Sequence, residues 1–374
     1  MTDPRHLRWL ARLILFGLAL YVFLAAIELL GESIEIVGKG TAESLFNGLK
    51  DPFAGLAVGI LATVLWQSSS ATTSIVVVMV GSGELPLAYA VPMVMGANIG
   101  TSITNTIVAL GHVRRNAEFR RAFAGATVHD MFNLLSVLVL FPLELATGFL
   151  RNTAQWLVAV LPLQGAGVEF KSPIKAAVKW PAGWIQSGFE DGLGLSGKLL
   201  AGVLFVVALG MLSGALVTIT KNMRLVMADW IEQWLNRVLR RSGLLGLAIG
   251  AGITAAVQSS SITTSLLVPM FGAGVLALEA GFPIMLGANI GTTVTALLAS
   301  TVTGPAGLTI AVVHLLFNLA GTALFFPLKF MRRIPIRLSQ QLADLAIRNR
   351  IWVVIYIVGV FIVAPLLGIL IWRG

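Results

Sequence analysis

Apolar positions in this chain come in runs rather than in stripes. Residues 10–30, 199–220 and 351–372 are near-continuous apolar stretches, and each is long enough to cross a bilayer, which takes about 20 residues. Other runs are shorter. Residues 52–66 and 71–80 flank the polar octet "QSSSATTS" at 67–74. A helix of the length of 52–66 covers roughly 22 Å against about 30 Å of hydrocarbon, so neither arm spans. Two short apolar arms around a polar tip predict a re-entrant hairpin over 52–80. A crossing follows at 87–110, interrupted at "GANIG", and another at 122–149. The pattern then returns as a hairpin at 243–271, an interrupted span at 282–300 and a span at 308–328. It predicts an all-α polytopic membrane protein.

The polar positions return with the apolar ones. "QSSSITTS" occupies 258–265, 191 residues after the first octet, and Gly96-Ala97-Asn98-Ile99-Gly100-Thr101 reappears as Gly287-Ala288-Asn289-Ile290-Gly291-Thr292 at the same offset. Aligning 55–104 with 246–295 gives 26 identities in 50 positions. "HDMFN" at 129–133 is echoed by "HLLFN" at 314–318. Self-similarity of this kind is a duplication; chance likeness between apolar segments does not match polar residues.

Charge orients the copies. The stretch before the first, 28–51, carries Glu28, Glu32, Glu35, Glu43 and Asp51 against Lys39 and Lys50, whereas the stretch before the second, 221–241, carries Lys221, Arg224, Arg237, Arg240 and Arg241. After the first glycine motif comes "GHVRRNAEFRR"; after the second comes the uncharged "TVTGPAGLT". Under the positive-inside rule, equivalent loops of opposite character lie on opposite sides, so the halves are expected to be inverted repeats. The expected organisation is a first repeat over 1–150, an external loop of little periodicity over 151–198, and a second repeat over 199–328. A basic cytoplasmic linker and a C-terminal helix fill 329–374. The N-terminus is expected in the cytoplasm, with 31–51 outside as an interfacial helix. Pro92 and Pro283 precede the glycine motifs and are expected to help break those helices.

Composition agrees: 57% of the 374 residues are hydrophobic and 11% charged, against about 25% charged in a soluble domain. The net charge of +9 sits in loops, where it reports topology rather than nucleic-acid binding. With no cysteine, disulfides, thiolate metal sites and cysteine nucleophiles are excluded.

The chemistry lies in the polar tips. Residues 52–83 contain no charged residue or histidine, and 280–328 contain only His314. Irregular backbone at membrane depth is tolerated where it lines a cavity. Helix N-termini and serine hydroxyls suit an anion, whereas carbonyl, amide and hydroxyl oxygens suit a hard cation. A site without fixed charge holds anion and cation together, each neutralising the other, which is what cation-coupled anion transport needs. The alternative, hydroxyls as packing glue between helices, accounts for one Ser-Ser pair but not for a duplicated octet with a duplicated glycine motif. His129 and Asp130 with the serines suggest an intramembrane Ser-His-Asp hydrolase. However, the second copy puts Leu315 where Asp130 stands, so the chain is not expected to be an enzyme. His129 with Asn133, and His314 with Asn318, instead read as hydrogen-bonding struts on one helical face.

Paired "QSSS" motifs, each followed by "GANIGT", and the stretches "MGANIGTSITNTIVAL" and "EFRRAFAGATVHDMFNLLSVLVLFPLE" resemble the type II sodium/phosphate cotransporters over about 53–148 and 243–328. The resemblance implies Na⁺-coupled symport of inorganic phosphate by alternating access. Position by position, it implies phosphate at Ser68, Ser69, Ser70, Ser259, Ser260 and Ser261. It implies Na⁺ at Gln67, Asn98, Thr101, Thr104, Gln258, Asn289, Thr292 and Thr295. Na⁺ is the coupling ion, with no transition metal and no other cofactor. The expected partners are phosphate, Na⁺, the lipid bilayer of the cell membrane and, as an option, a second copy in a homodimer; nucleic acid is not among them. Another small anion such as a carboxylate or sulfate is the runner-up substrate, and an ion channel is the reading from a different class.

Overall fold

The computed structural model describes residues 4–37, 51–160, 173–238 and 243–371; of the expected interfacial segment 31–51, residues 31–37 continue the first helix and 38–50 lie outside the described residues, as do 239–242 at the end of the basic stretch. The described residues form helices joined by short turns, with no strand among them. In chain order the helices are α1 (Pro4–Val37), α2 (Pro52–Trp66), α3 (Ser69–Gly81), α4 (Leu87–Thr101), α5 (Ile103–Leu110), α6 (Asn116–Thr147), α7 (Phe149–Val160) and α8 (Pro173–Leu193). Then come α9 (Gly197–Val238), α10 (Gly243–Val257), α11 (Ser260–Ala273), α12 (Leu278–Phe325), α13 (Lys329–Arg348), α14 (Ile351–Val358) and α15 (Ala364–Ile371), the last two joined by a π-helical turn. Among the described residues six helical segments are long and apolar enough to cross a membrane, and the chain is a multi-pass membrane protein.

Each polar octet sits in a tight turn between two short helices. Asp51 caps α2 by accepting from the Phe53 amide at 2.7 Å, with Pro52 at the first helical position, where its missing N–H is not needed. At the far end Gln67 takes a left-handed conformation (φ 53°, ψ 27°), and Ser68 is extended and caps α3 by accepting from the Ala71 amide. Gln258 (φ 58°) and extended Ser259 make the same turn between α10 and α11. Thr63 and Thr72 share a hydrogen bond of 3.0 Å across the first turn, and Thr254 and Thr263 one of 2.8 Å across the second. The helical hairpins are therefore present, with their polar residues at the tips.

The glycine motifs behave otherwise than expected. Neither is a break: α4 stays helical through Thr101 and yields only at Ser102, and α12 runs through 287–292 and departs from helical geometry at Gly304 (φ 81°, ψ −169°). The glycines serve close packing. A Cβ on Gly96 would overlap the Leu56 carbonyl oxygen, and one on Gly287 would overlap that of Leu247. Conversely, a Cβ on Gly59 or Gly250 would strike the backbone of Met93 or Ile284. Helix α4 thus lies against α2, and α12 against α10, with backbones in contact, as small residues permit in membranes. Every member of the second set stands 191 residues after its counterpart, so the duplication extends to the packing.

The stretch expected as an irregular loop, 151–198, is also different: α7 and α8 fill most of its described part. Gly148 (φ 64°) ends α6, and the Glu144 carboxylate accepts from the Leu150 amide at 2.6 Å, satisfying the start of α7. Leu150, Ala154 and Val158, at helical spacing, then bury one face of α7. This stripe is short, and the polar residues around it hide it in the sequence.

Candidate functional site

The hairpin tips meet. Ser70 Oγ, at the start of α3, donates to the Gln258 carbonyl oxygen at 3.4 Å and lies 3.4 Å from Thr295 Oγ1. Behind each tip a glutamine is held by a threonine three residues after the glycine motif: Thr104 Oγ1 donates to Gln67 Oε1 at 3.0 Å, and Thr295 Oγ1 to Gln258 Oε1 at 2.8 Å. Each glutamine amide turns back onto its own helix, Gln67 onto the Val64 carbonyl at 2.7 Å and Gln258 onto that of Ala255. The left-handed backbone at Gln67 and Gln258 is what folds these side chains back.

A polar chain runs between the halves. Thr264 Oγ1 donates to Asn105 Oδ1 at 2.9 Å, and Asn105 Nδ2 lies 3.3 Å from His129 Nδ1. His129 Nε2 is 2.5 Å from Asn289 Oδ1. Asn289 Nδ2 donates to Asn133 Oδ1 at 2.7 Å, and Asn133 Nδ2 to the Asn98 carbonyl at 2.8 Å. Every side chain in this chain is buried, and a buried network of this kind rigidifies when its members are satisfied. Beside it Asp130 Oδ2 accepts from Tyr356 at 2.6 Å and Thr106 at 3.3 Å. Among the described residues no group of three or more His, Asp or Glu side chains is placed to hold a metal ion.

The equivalents in the second half do not match. His314 is buried with neither ring nitrogen bonded, and Asn318 Oδ1 and Thr322 Oγ1 on the same helix also lack partners, as does Ser136 Oγ. Asn318 Nδ2 reaches only the His314 carbonyl of its own helix. Burial is unequal too: Gln67 is exposed, whereas Gln258 is 5% exposed. The difference lies in the glutamines: Ser69 and Ser70 of the first tip are buried, and so is Ser260 of the second.

The model of the Na⁺/Pi-cotransporter family matches residues 22–155 and 204–347. The chain belongs to this family. It is 34% identical to sodium-dependent phosphate transport protein 2B of Bos taurus over 96% of this chain and 64% of that protein. It is 33% identical to sodium-dependent phosphate transport protein 2A of Ovis aries over 92% of this chain and 65% of that one. The chain thus spans less than two thirds of the length of either relative. No solved structure matches it.

Of the residues expected at the site, Ser70, Gln258 and Thr295 come together, with Gln67 and Thr104 forming the matching pair. Ser68 and Ser259 stand at the helix N-termini, with Ser69, Ser260 and Ser261 in the first turns behind them. Asn289 binds His129 and Asn133, whereas the Asn98 amide is spent on the Val94 carbonyl at 2.8 Å. Thr101 and Thr292 donate to Ala97 and Ala288, one turn back on their own helices. Asn105, Thr106, Thr264 and Tyr356 were not singled out from the sequence. Asn105 and Thr106 closely follow the first glycine motif and Thr264 lies within the second octet, which is a signal in principle; Tyr356 carries none, because it reaches Asp130 only through the docking of α14.

Proposed function

We propose that the chain is a Na⁺-coupled symporter of inorganic phosphate in the cell membrane, working by alternating access. The observation that carries this reading is the meeting of the duplicated tips at Ser70, Gln258 and Thr295, in a family whose relatives are named sodium-dependent phosphate transport proteins. Phosphate lies between the tips, where Ser68–Ser70 and Ser259–Ser261 supply hydroxyls and two helix N-termini supply partial positive charge and free amides. Each Gln–Thr oxygen pair, already 3.0 or 2.8 Å apart, is spaced as two neighbouring oxygen ligands of one hard cation. Na⁺ enters each pair, and Asn98, Asn289, Thr101 and Thr292 turn from their present bonds to complete the shells. The unbroken backbone of the glycine motifs leaves side chains, not unwound carbonyls, as the ligands there.

The hairpins are re-entrant and the two halves, 1–150 and 199–328, are inverted. The segment 151–198 lies outside and 329–350 in the cytoplasm. The unequal tips support alternation: the structure is one of two states that differ in which half holds its His–Asn pair bonded. Na⁺ is the coupling ion, with no other cofactor and no catalysis; the dimer stays an option.

Uptake of labelled phosphate by proteoliposomes under an imposed Na⁺ gradient tests the proposal. Saturable, Na⁺-dependent uptake that unlabelled phosphate competes is the expected result. Competition by a carboxylate or sulfate in its place favours the runner-up substrate, and non-saturating conductance favours a channel.

A further inference from the structure

Helix α13 runs between two apolar helices, from the end of α12 at Phe325 to the start of α14 at Ile351. One face is packed: Pro335, Ile336, Ser339, Ala343 and Ala346 are buried, and Asp344 takes two hydrogen bonds from Arg120 of α6, at 2.5 and 3.0 Å. The other face carries two adjacent rows. Phe330, Ile334 and Leu338, four residues apart, remain 65%, 37% and 36% exposed. Beside them Lys329, Arg333 and Arg337, at the same spacing, are exposed. Residues four apart share one side of a helix, so each row is continuous.

Among the described residues, neither row has a hydrogen-bond or ion-pair partner. Asp344 is the one carboxylate on this helix and is taken by Arg120. The three cations take no part in the ion pairs His112–Glu118, Arg115–Glu118 and Arg120–Asp344 of the described residues. In water the apolar row is unfavourable, in hydrocarbon the cations are, and three like charges at this spacing repel. One environment satisfies both rows at once: the head-group layer, with apolar side chains among the acyl chains and cations at the level of anionic phosphates.

We propose that this face of α13 binds anionic phospholipid. Lys329, Arg333 and Arg337 contact the lipid phosphates, and Phe330, Ile334 and Leu338 lie among the upper acyl carbons. The contact reaches the second hairpin. Arg120 ties α13 to α6, and the neighbouring Arg121 donates twice to the Gly272 carbonyl near the end of α11, at 2.9 and 2.7 Å. Anionic lipid therefore steadies the frame on which the second tip is held. The inference stands independently of the transported substrate.

The test is titration of the whole detergent-solubilised chain with dioctanoyl phosphatidylglycerol, followed by thermal unfolding, with dioctanoyl phosphatidylcholine and inorganic phosphate as comparisons. The expected result is stabilisation by phosphatidylglycerol and not by phosphatidylcholine, weakened by added salt, while any stabilisation by inorganic phosphate, bound between the tips, survives loss of the three cations. Replacing Lys329, Arg333 and Arg337 together by Gln lowers that apparent affinity by on the order of a hundredfold, about fivefold per cation. Arg333→Lys with Arg337→Lys keeps it, because charge and not fork geometry is required. Equal response to the two lipids overturns the proposal, and that comparison uses only the native chain. So does undiminished affinity in the triple variant, a response to inorganic phosphate that the triple variant abolishes, or stabilisation that follows self-association through Phe330 and Ile334 instead of lipid.

Discussion

Gln67 and Gln258 are the non-glycine residues with positive φ among those described, at 53° and 58°. For an L-residue with a Cβ this conformation costs about 1–2 kcal/mol. Glycine would remove that cost, and its absence from both tips argues that the side chain is needed there. Replacing either glutamine by Ala keeps the strained backbone and deletes the amide. Gln67→Ala and Gln258→Ala should each raise the Na⁺ concentration for half-maximal uptake by roughly 2–10-fold, the worth of one hydrogen-bonding oxygen. Uptake measured across a Na⁺ series checks this, and unchanged Na⁺ dependence in both variants would remove the glutamines from the cation shell. The packing glycines make a different prediction. Gly96→Ala and Gly287→Ala push a methyl into a neighbouring carbonyl, and overpacking of this kind costs about 1–3 kcal/mol. Thermal unfolding should register both losses even in the absence of Na⁺ and phosphate.

At the scale of elements, the two helix pairs α2–α4 and α10–α12 are built alike, yet the polar links differ. The His129 ring is bonded to the other half through Asn289, whereas neither ring nitrogen of His314 has a partner among the described residues. Leaving a buried polar side chain unpaired costs about 1–3 kcal/mol, a cost that the second state of the proposed alternation would relieve. The chain has no cysteine, so single reporter cysteines can be placed without background. Gln67→Cys should label faster than Gln258→Cys with a polar thiol reagent. Adding His129→Ala should narrow that difference by destabilising the present state, and adding His314→Ala should preserve or widen it. Equal effects of the two histidine substitutions would contradict the reading of two states. The α13–α6 link is weaker. Arg120 beside Asp344 holds that carboxyl below its usual range. A depressed folded-state value contributes stability above the unfolded value and loses it as pH falls through the folded one. For an exposed pair this is worth about 0–1 kcal/mol. Asp344→Asn should therefore lower the unfolding midpoint slightly at neutral pH and not at strongly acid pH.

For the whole molecule the question is orientation. The turn between α5 and α6 holds Arg114, and the kink between the arms of α12 holds Gly304 followed by exposed Ala306. If the halves are inverted, these equivalent connections face opposite sides. Arg114→Cys and Ala306→Cys in sealed vesicles should label from opposite faces with an impermeant reagent, and labelling from one face would refute the inversion.

Much of this architecture was legible in the sequence. Composition and apolar run length report how a segment partitions between water, protein and lipid, which is a local property. That is why the helices, the hairpins and their tips could be read. The matched octets and glycine motifs marked the duplication, since identity at a constant offset needs no structure to be seen. The role of "GANIGT" was misread for a physical reason: a glycine signals equally a backbone free to unwind and a backbone that must be approached closely. Only the position of Leu56 and Leu247 decides between them. The contacts that make the site are of the same kind. Ser70 meets Gln258 across 188 residues, His129 meets Asn289 across 160, and Tyr356 reaches Asp130 across 226. The sequence by itself determined an α-helical, membrane-embedded, duplicated chain with uncharged polar tips. Only the tertiary structure decided which tip residues touch and which half holds its histidine bonded, because those depend on how the two halves dock, and docking leaves no periodicity in either half.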